Sequence, residues 1–446
     1  MLPAGLLLRA EGVMSQSSDR AAHRIVNSRS IALIVCTWCT MLLAAHLCYA
    51  AKPDDSDLRG KVLVGYQGWF RCPGDGSPKS QWSHWSKGAP SPETMSIDLY
   101  PDVSELKDSS RCLLPAATIE GKPAYVFSSF PKDTVEKHFE WMRSYQIDGA
   151  LLQRFINSIL PQQQEGDTIL KNVRSAAETN GRLFAVEYDL SGAHPETALK
   201  QLQDDWQYLA GQLKITSSPA YLRDHGKPIV AIWGLGFEDA SHLQDPALCL
   251  AIVKWFKDVA HVRVMGGVPA GWRTLSADSA SNQGWTAVYS ALDIVQPWTV
   301  GRYRTLEAAD AWKQTHLIPD IARTKEQGQA YMPVIFPGFS WHNLNRNSAE
   351  NQIPRLSGSF LWRQAYNAKS AGASFVKIAM FDEVNEGTAI FKAVPSRKEA
   401  PQPGYWLTLD ADGENLPNDW YLRLATEISR MFRGSISATE KIPIQP

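Results

Sequence analysis

From Ala51 onward, short apolar runs alternate with longer amphipathic stretches. Runs rich in Val, Ile, Leu and aromatic residues recur at Val62–Tyr66, Gly149–Leu152, Leu183–Tyr188, Pro228–Trp233, Val262–Met265, Asp293–Trp298, Met332–Phe336 and Val376–Phe381. From Gly149 on, successive starts lie 31 to 45 residues apart, enough for a strand, a crossover helix and two loops. Between the runs the period lengthens. Val135, Phe139 and Met142 share one helical face, and Asp133 with Glu136 three residues on predicts a capped N-terminus. Eight such alternations predict an α/β fold, a (β/α)8 TIM barrel with elaborated loops at the C-terminal face of the strands. A doubly wound sheet would want a Gly-rich phosphate turn, and Gly65-Tyr-Gln-Gly68 is not one.

The stretch from Val62 to Gly149 is too long for a single crossover. Residues 70–130 are therefore expected to form a loop insertion over the barrel mouth, with a hairpin around Ala124–Ser128. Residues 400–446 read as a C-terminal extension of turns and a helix. Trp420–Gly434 predicts the closing helix, with Tyr421, Leu424, Ile428 and Met431 inward and Gly434 at its stop. Tyr405–Asp412 predicts a small sheet with its turn at Asp410-Ala-Asp-Gly413. A calcium loop there would need Glu where Tyr421 stands. With no linker or repeat in sight, residues 51–446 read as a single domain.

The longest uncharged apolar stretch, Ile31–Cys48, follows Arg20, Arg24 and Arg29 and precedes a polar switch at Lys52. Residues 1–50 thus read as a signal peptide cleaved near Ala50, the alternative being an uncleaved membrane anchor. Secretion or delivery to a periplasm follows, with membrane association only if the segment stays attached. The exported part keeps Cys72, Cys112 and Cys249 of the six cysteines. Cys72 and Cys112 can staple the loop insertion, while Cys249 lies in an apolar run and is expected to be buried; spacing alone leaves the pairing open. With 45 Lys and Arg against 46 Asp and Glu, no basic field exists for a phosphate backbone, so nucleic acid is not expected as a partner. No Cys or His cluster has metal-ligand spacing, and neither a metal nor an organic cofactor is expected. A monomer is expected.

The 16 Trp offer broad apolar faces of the kind that meet sugar rings, although core packing claims many of them. Chemistry in this barrel gathers where strands end. Tyr66, Gln67 and Trp69 follow the first run, Gln153 and Arg154 the second, and Glu187 and Asp189 flank the end of the third. Trp233 ends the fourth; Gln296 and Trp298 close the sixth; Trp341 and His342 follow the seventh; Asp382, Glu383 and Glu386 crowd the eighth within five residues. Carboxylates so close repel one another, which raises at least one pKa toward the range of a proton donor at neutral pH and leaves a neighbour ionised. Glycosidic cleavage needs that division of labour. The same acids could instead cap the last helix or pair with Arg154 and Lys377. Glu187 and Asp189 are a second acid and base candidate.

Phe381-Asp-Glu-Val-Asn-Glu-Gly-Thr388 resembles the terminal signature of glycoside hydrolase family 99, the endo-α-mannosidases, in which two glutamates three apart precede Gly-Thr. Gly65-Tyr-Gln-Gly-Trp-Phe70 with His84-Trp85, Pro219–Pro228, and Phe336-Pro-Gly-Phe-Ser-Trp-His-Asn343 are similar to that family's first strand and loop, fourth-strand lead-in and seventh-strand loop. The order and spacing of these landmarks match over residues 62–392. The resemblance implies a retaining enzyme, with Glu386 as general acid and then base and Glu383 as the base that draws a proton from the sugar 2-hydroxyl. The 2-oxygen then attacks the anomeric carbon, and no protein nucleophile is needed. It also implies that Tyr66 lines the sugar pocket. Val384-Asn385 stands where relatives carry an aromatic residue and His, and Ala389-Ile-Phe391 replaces Gln-Ile-Glu, departures that bear on sugar preference.

Two functions follow. The first is an exported retaining glycosidase acting on an oligo- or polysaccharide through Glu383 and Glu386. Tyr66, Trp69, His84, Trp85, Gln153, Arg154, Glu187, Asp189, Trp298, Trp341, His342 and Asn385 are its candidate substrate contacts. The second is a barrel that binds glycans without cleaving them.

Overall fold

The computed structural model describes residues 57–446; the leader reading of residues 1–50 lies outside them. Eight parallel strands are built from the eight apolar runs. They are β1 (Val62–Tyr66), β2 (Gly149–Phe155), β3 (Leu183–Asp189), β4 (Lys227–Trp233), β5 (Arg263–Val268), β6 (Ile294–Pro297), β7 (Ala330–Tyr331 and Val334–Ile335) and β8 (Val376–Ile378). Each pairs with its sequence neighbour, and β1 also pairs with β8 through Val62 and Val376. Pro333, which has no N–H, splits β7. Its first half pairs with β6 and its second with β8, so the two ends of the ladder belong to one run and the barrel closes.

Helices α1 (Lys132–Ser144), α2 (Gln163–Asn180), α3 (Ala198–Gln207), α4 (Pro246–Asp258), α5 (Trp285–Ala291), α6 (Leu306–Trp312), α7 (Ile318–Glu326) and α8 (Ser359–Ser370) supply the crossovers. In α1 the face of Val135, Phe139 and Met142 is buried as its period requires. Its start differs from the expected capping box. The helix begins at Lys132 behind Pro131, and no side chain caps it, because an extended Pro131 sets the entry two residues earlier. The closing helix α9 (Trp420–Phe432) buries Tyr421, Leu424, Ile428 and Met431, and Gly434 follows at φ +76. No helix among the described residues is long and apolar enough to cross a membrane.

The insertion between β1 and α1 carries an antiparallel hairpin, Arg111–Ile119 with Lys122–Phe127, longer than the one expected. Cys72 and Cys112 are disulfide-bonded and tie that hairpin to the chain leaving β1, closing 40 residues. Cys249 is a free thiol, buried in α4, and burial pushes its pKa up to about 12, which makes it inert. The expected sheet at Tyr405–Asp412 is absent: Leu409–Asp412 forms a 3-10 turn, and Leu407 makes one isolated bridge to Leu99. That segment packs across the insertion rather than against another strand of its own.

Candidate active site

At the carboxyl end of β8 the chain presents Asp382, Glu383 and Glu386. Asp382 is fully buried and accepts from the backbone N–H groups of Gln67 (2.8 Å) and Gly68 (2.9 Å), which clamps the end of β8 to the end of β1. Burial pushes its pKa up to about 6 against those two hydrogen bonds. Glu383 is buried, and one carboxylate oxygen accepts from the N–H of Asn385 at 3.0 Å. Glu386 is half-buried and its side chain takes no hydrogen bond from the described residues. Both glutamates titrate well above the ordinary carboxylate range. Desolvation is the main cause for each, and the neighbouring charges of Glu386 and Asp382 push Glu383 further. The pair therefore holds a proton under conditions that ionise ordinary carboxylates, with one member available to give it and the other to accept.

The insertion braces this motif. Asp98, fully buried, accepts from Ser340 Oγ (2.5 Å) and from the N–H groups of His342 (2.8 Å) and Asn343 (2.7 Å). Its own N–H and that of Leu99 donate to the Val384 carbonyl at 3.2 and 3.3 Å, while Ser340 N–H donates to the Glu386 carbonyl at 2.8 Å. The loops after β1, β7 and β8 are thus cross-tied at the two glutamates. Asp98 was not among the candidates, although an acid inside the apolar stretch Met95–Tyr100 is a recognisable sign of a buried, fully bonded carboxylate.

Below lies a polar network inside the barrel. Lys377 Nζ meets both oxygens of Glu187 at 2.7 Å and Gln296 Oε1 at 3.2 Å, and Gln153 Nε2 donates to Glu187 at 2.9 Å. The acids at β8 are therefore not the partners of Lys377; Glu187 is. Gly65 makes room for this floor, because a Cβ there would run into Met380 and come within 3.3 Å of Lys377 Cε. The indole of Trp298 stands 5.8 Å from the Lys377 ammonium and edge-on to Trp233 at 5.5 Å.

Strand alternation sorts the remaining candidates. Since Gly65 faces the interior, Tyr66 faces the helices. It is fully buried, its hydroxyl bonds His138 of α1 at 2.9 Å, and it does not line a sugar pocket. Trp85 is likewise core: it is fully buried against Phe70 and Phe127, with its Nε1 donating to the Phe127 carbonyl at 2.8 Å. Arg154 points outward from β2, where its Nε and Nη2 are held by Asp205 (2.8 Å) and Asp167 (3.1 Å). Asn385 spends its Nδ2 on the carbonyls of His84 (2.7 Å) and Ser96 (3.1 Å), bracing the loop. Asp189 is buried and accepts from Ser191 N–H at 2.8 Å. Trp69 stacks on the exposed His84 at 3.8 Å and lies nearly parallel to Phe155 at 5.3 Å. Trp341 is half-buried with Nε1 unpartnered, and His342 is held by the Ser348 carbonyl at 2.7 Å.

A scan against protein-family models finds no match, and a search of curated proteins finds none either. Solved structures do match. A GH99 endo-α-mannosidase from Bacteroides thetaiotaomicron, in complex with bis-tris-propane, aligns over 86% of this chain and 100% of its own, with a TM-score of 0.60 and 17% identity. This chain has the same fold. A second structure of the GH99 endo-α-mannosidase from that organism gives a TM-score of 0.60 at 16% identity over 85% of this chain and 99% of its own. A glycoside hydrolase-like protein gives 0.52 at 14% identity over 84% and 95%. In this barrel Glu383 and Glu386 follow the eighth strand, Val376–Ile378. Among the described residues no group of three His, Cys, Asp or Glu could hold a metal ion.

Proposed function

We propose that this protein is an exported retaining glycoside hydrolase acting on an α-linked oligo- or polysaccharide. The observation that carries this reading is the pair Glu383 and Glu386, one buried and one half-buried carboxylate, both with raised pKa values, at the mouth of a barrel with the fold of a GH99 endo-α-mannosidase. Glu386 gives its proton to the departing glycosidic oxygen while Glu383 takes the proton of the sugar 2-hydroxyl. The freed 2-oxygen attacks the anomeric carbon and forms a 1,2-anhydro sugar. Water opens that ring as Glu386 takes its proton and Glu383 returns one to the 2-oxygen, so the anomeric configuration is retained. Export follows from the leader-like pattern of residues 1–50.

The half-buried indoles of Trp298 and Trp341 are the surfaces best placed to receive a sugar face. The test is release of reducing ends from a panel of α-glycans, with the first-formed anomer read by proton NMR. Retention by the wild type, and loss of release in Glu386→Gln, supports the reading. An inactive wild type that still binds the glycans would favour a non-catalytic sugar-binding barrel, and an inverted first product would exclude the anhydro-sugar route.

A further inference from the structure

Beside the acid pair, a cavity of about 300 Å³ runs from the ends of β1 and β2 to the first turns of α2. It shares Gln67 with the site, the residue whose N–H is clamped by Asp382. Its volume is at the small end of ligand pockets, ~300–1,000 Å³, which suits one ring rather than a chain. Leu152, Phe155, Ile169, Leu170 and Val186 make much of the wall apolar.

Two oppositely charged side chains face this space with no ion pair between them. Glu165, 8% exposed in the first turn of α2, makes no hydrogen bond or ion pair with any described residue. Arg71 spends Nη1 on the carbonyls of Gly68 (2.8 Å) and Phe70 (2.9 Å), but its Nε is buried with no partner and no carboxylate lies within ion-pair distance. Arg154, in the same wall, is by contrast ion-paired with Asp167 and Asp205 through Nε and Nη2. Both Arg71 and Glu165 also border a small adjoining space of about 50 Å³.

A buried carboxylate and a half-buried guanidinium that border one cavity yet are not joined leave hydrogen-bonding capacity unspent toward it. An anion between them would be repelled by Glu165, a cation by Arg71, and an apolar ligand would leave both unsatisfied. A molecule with adjacent hydroxyls and an apolar C–H face meets every demand: one hydroxyl donates to Glu165, another accepts from Arg71, and the face lies on the aliphatic wall.

We propose that this cavity binds a neutral pyranose, the unit adjoining the sugar on which Glu383 and Glu386 act. The adjacency rests on the glycosidase reading; the binding site does not. The test is calorimetric titration of α-1,2-mannobiose, α-1,3-mannobiose, maltose, xylobiose and, as an acidic comparison, digalacturonate into Glu386→Gln protein. The expected result is binding of at least one neutral disaccharide, weakened tenfold or more by adding either Glu165→Gln or Arg71→Gln, while Glu196→Gln at the exposed surface changes nothing. The second variant guards against a folding defect in the first, and thermal unfolding checks both. Binding of digalacturonate alone, no binding of any neutral sugar, or affinity indifferent to both substitutions would overturn the proposal. If these disaccharides bind in the expected manner and the wild type releases no reducing ends from the α-glycan panel, the cavity assignment stands and the glycosidase reading falls. Cleavage with binding indifferent to Glu165 and Arg71 gives the opposite result.

Discussion

Replacing Lys377 by Met tests the floor of the site. The ammonium and the Glu187 carboxylate are each 0% exposed, and three of the polar contacts in the network belong to Lys377: two to Glu187 at 2.7 Å and one to Gln296 at 3.2 Å. Without the ammonium, Glu187 keeps only the amide of Gln153 at 2.9 Å inside a closed barrel. Removing one partner of a buried pair costs about 3–5 kcal/mol, because the other charge is left uncompensated. That is a large share of the ~5–15 kcal/mol that holds a typical protein folded. Replacing both residues, as Lys377→Met with Glu187→Leu, removes the stranded charge and is expected to recover most of the loss, to within about 2 kcal/mol of wild type. Urea unfolding followed by tryptophan fluorescence gives the four corners of the cycle. A single variant within about 1 kcal/mol of wild type, or a double variant no better than the single, would refute the reasoning.

Three further outcomes are expected. Asp98→Ala strands three buried donors and should cost about 3–5 kcal/mol by the same unfolding assay, together with activity, since those bonds brace the glutamates. Opening the 40-residue covalent loop with Cys72→Ser and Cys112→Ser should cost about 4 kcal/mol by the chain-entropy relation, checked by unfolding under oxidising and reducing conditions. Because Asp382, Glu383 and Glu386 titrate above their unfolded values, the folded state binds more protons than the unfolded one. Their contribution to stability is present at low pH and is lost as pH rises through the raised values. Glu383→Gln should therefore flatten the fall in stability between about pH 4 and pH 8, measured by unfolding across that range.

All eight barrel runs were legible because a buried parallel strand needs a continuous apolar run and a crossover needs about thirty residues, and both leave a local pattern. The glutamate pair was legible for the same reason: its members are three residues apart. What escaped was long-range or two-sided. Glu187 and Lys377 are 190 residues apart in sequence, and Asp98 is over 240 from the backbone it holds, so neither tie leaves a local mark. Tyr66 and Arg154 stand at strand ends as expected, but proximity to an end does not say which face a side chain takes. Gly65, too small to fill the interior beside Met380, is the feature that fixes Tyr66 outward. Trp85 shows the ambiguity of tryptophan: the same ring serves a sugar or a core, and here Phe70 and Phe127 claim it.

The most direct measurement is the rate of reducing-end release from a cleaved α-glycan by wild type, Glu383→Gln and Glu386→Gln proteins of equal thermal stability. Loss of a general acid or base costs about 10²–10⁴-fold, so each variant is expected to fall by at least two orders of magnitude. Turnover by either variant within tenfold of wild type would contradict the assignment of proton transfer to these two carboxylates.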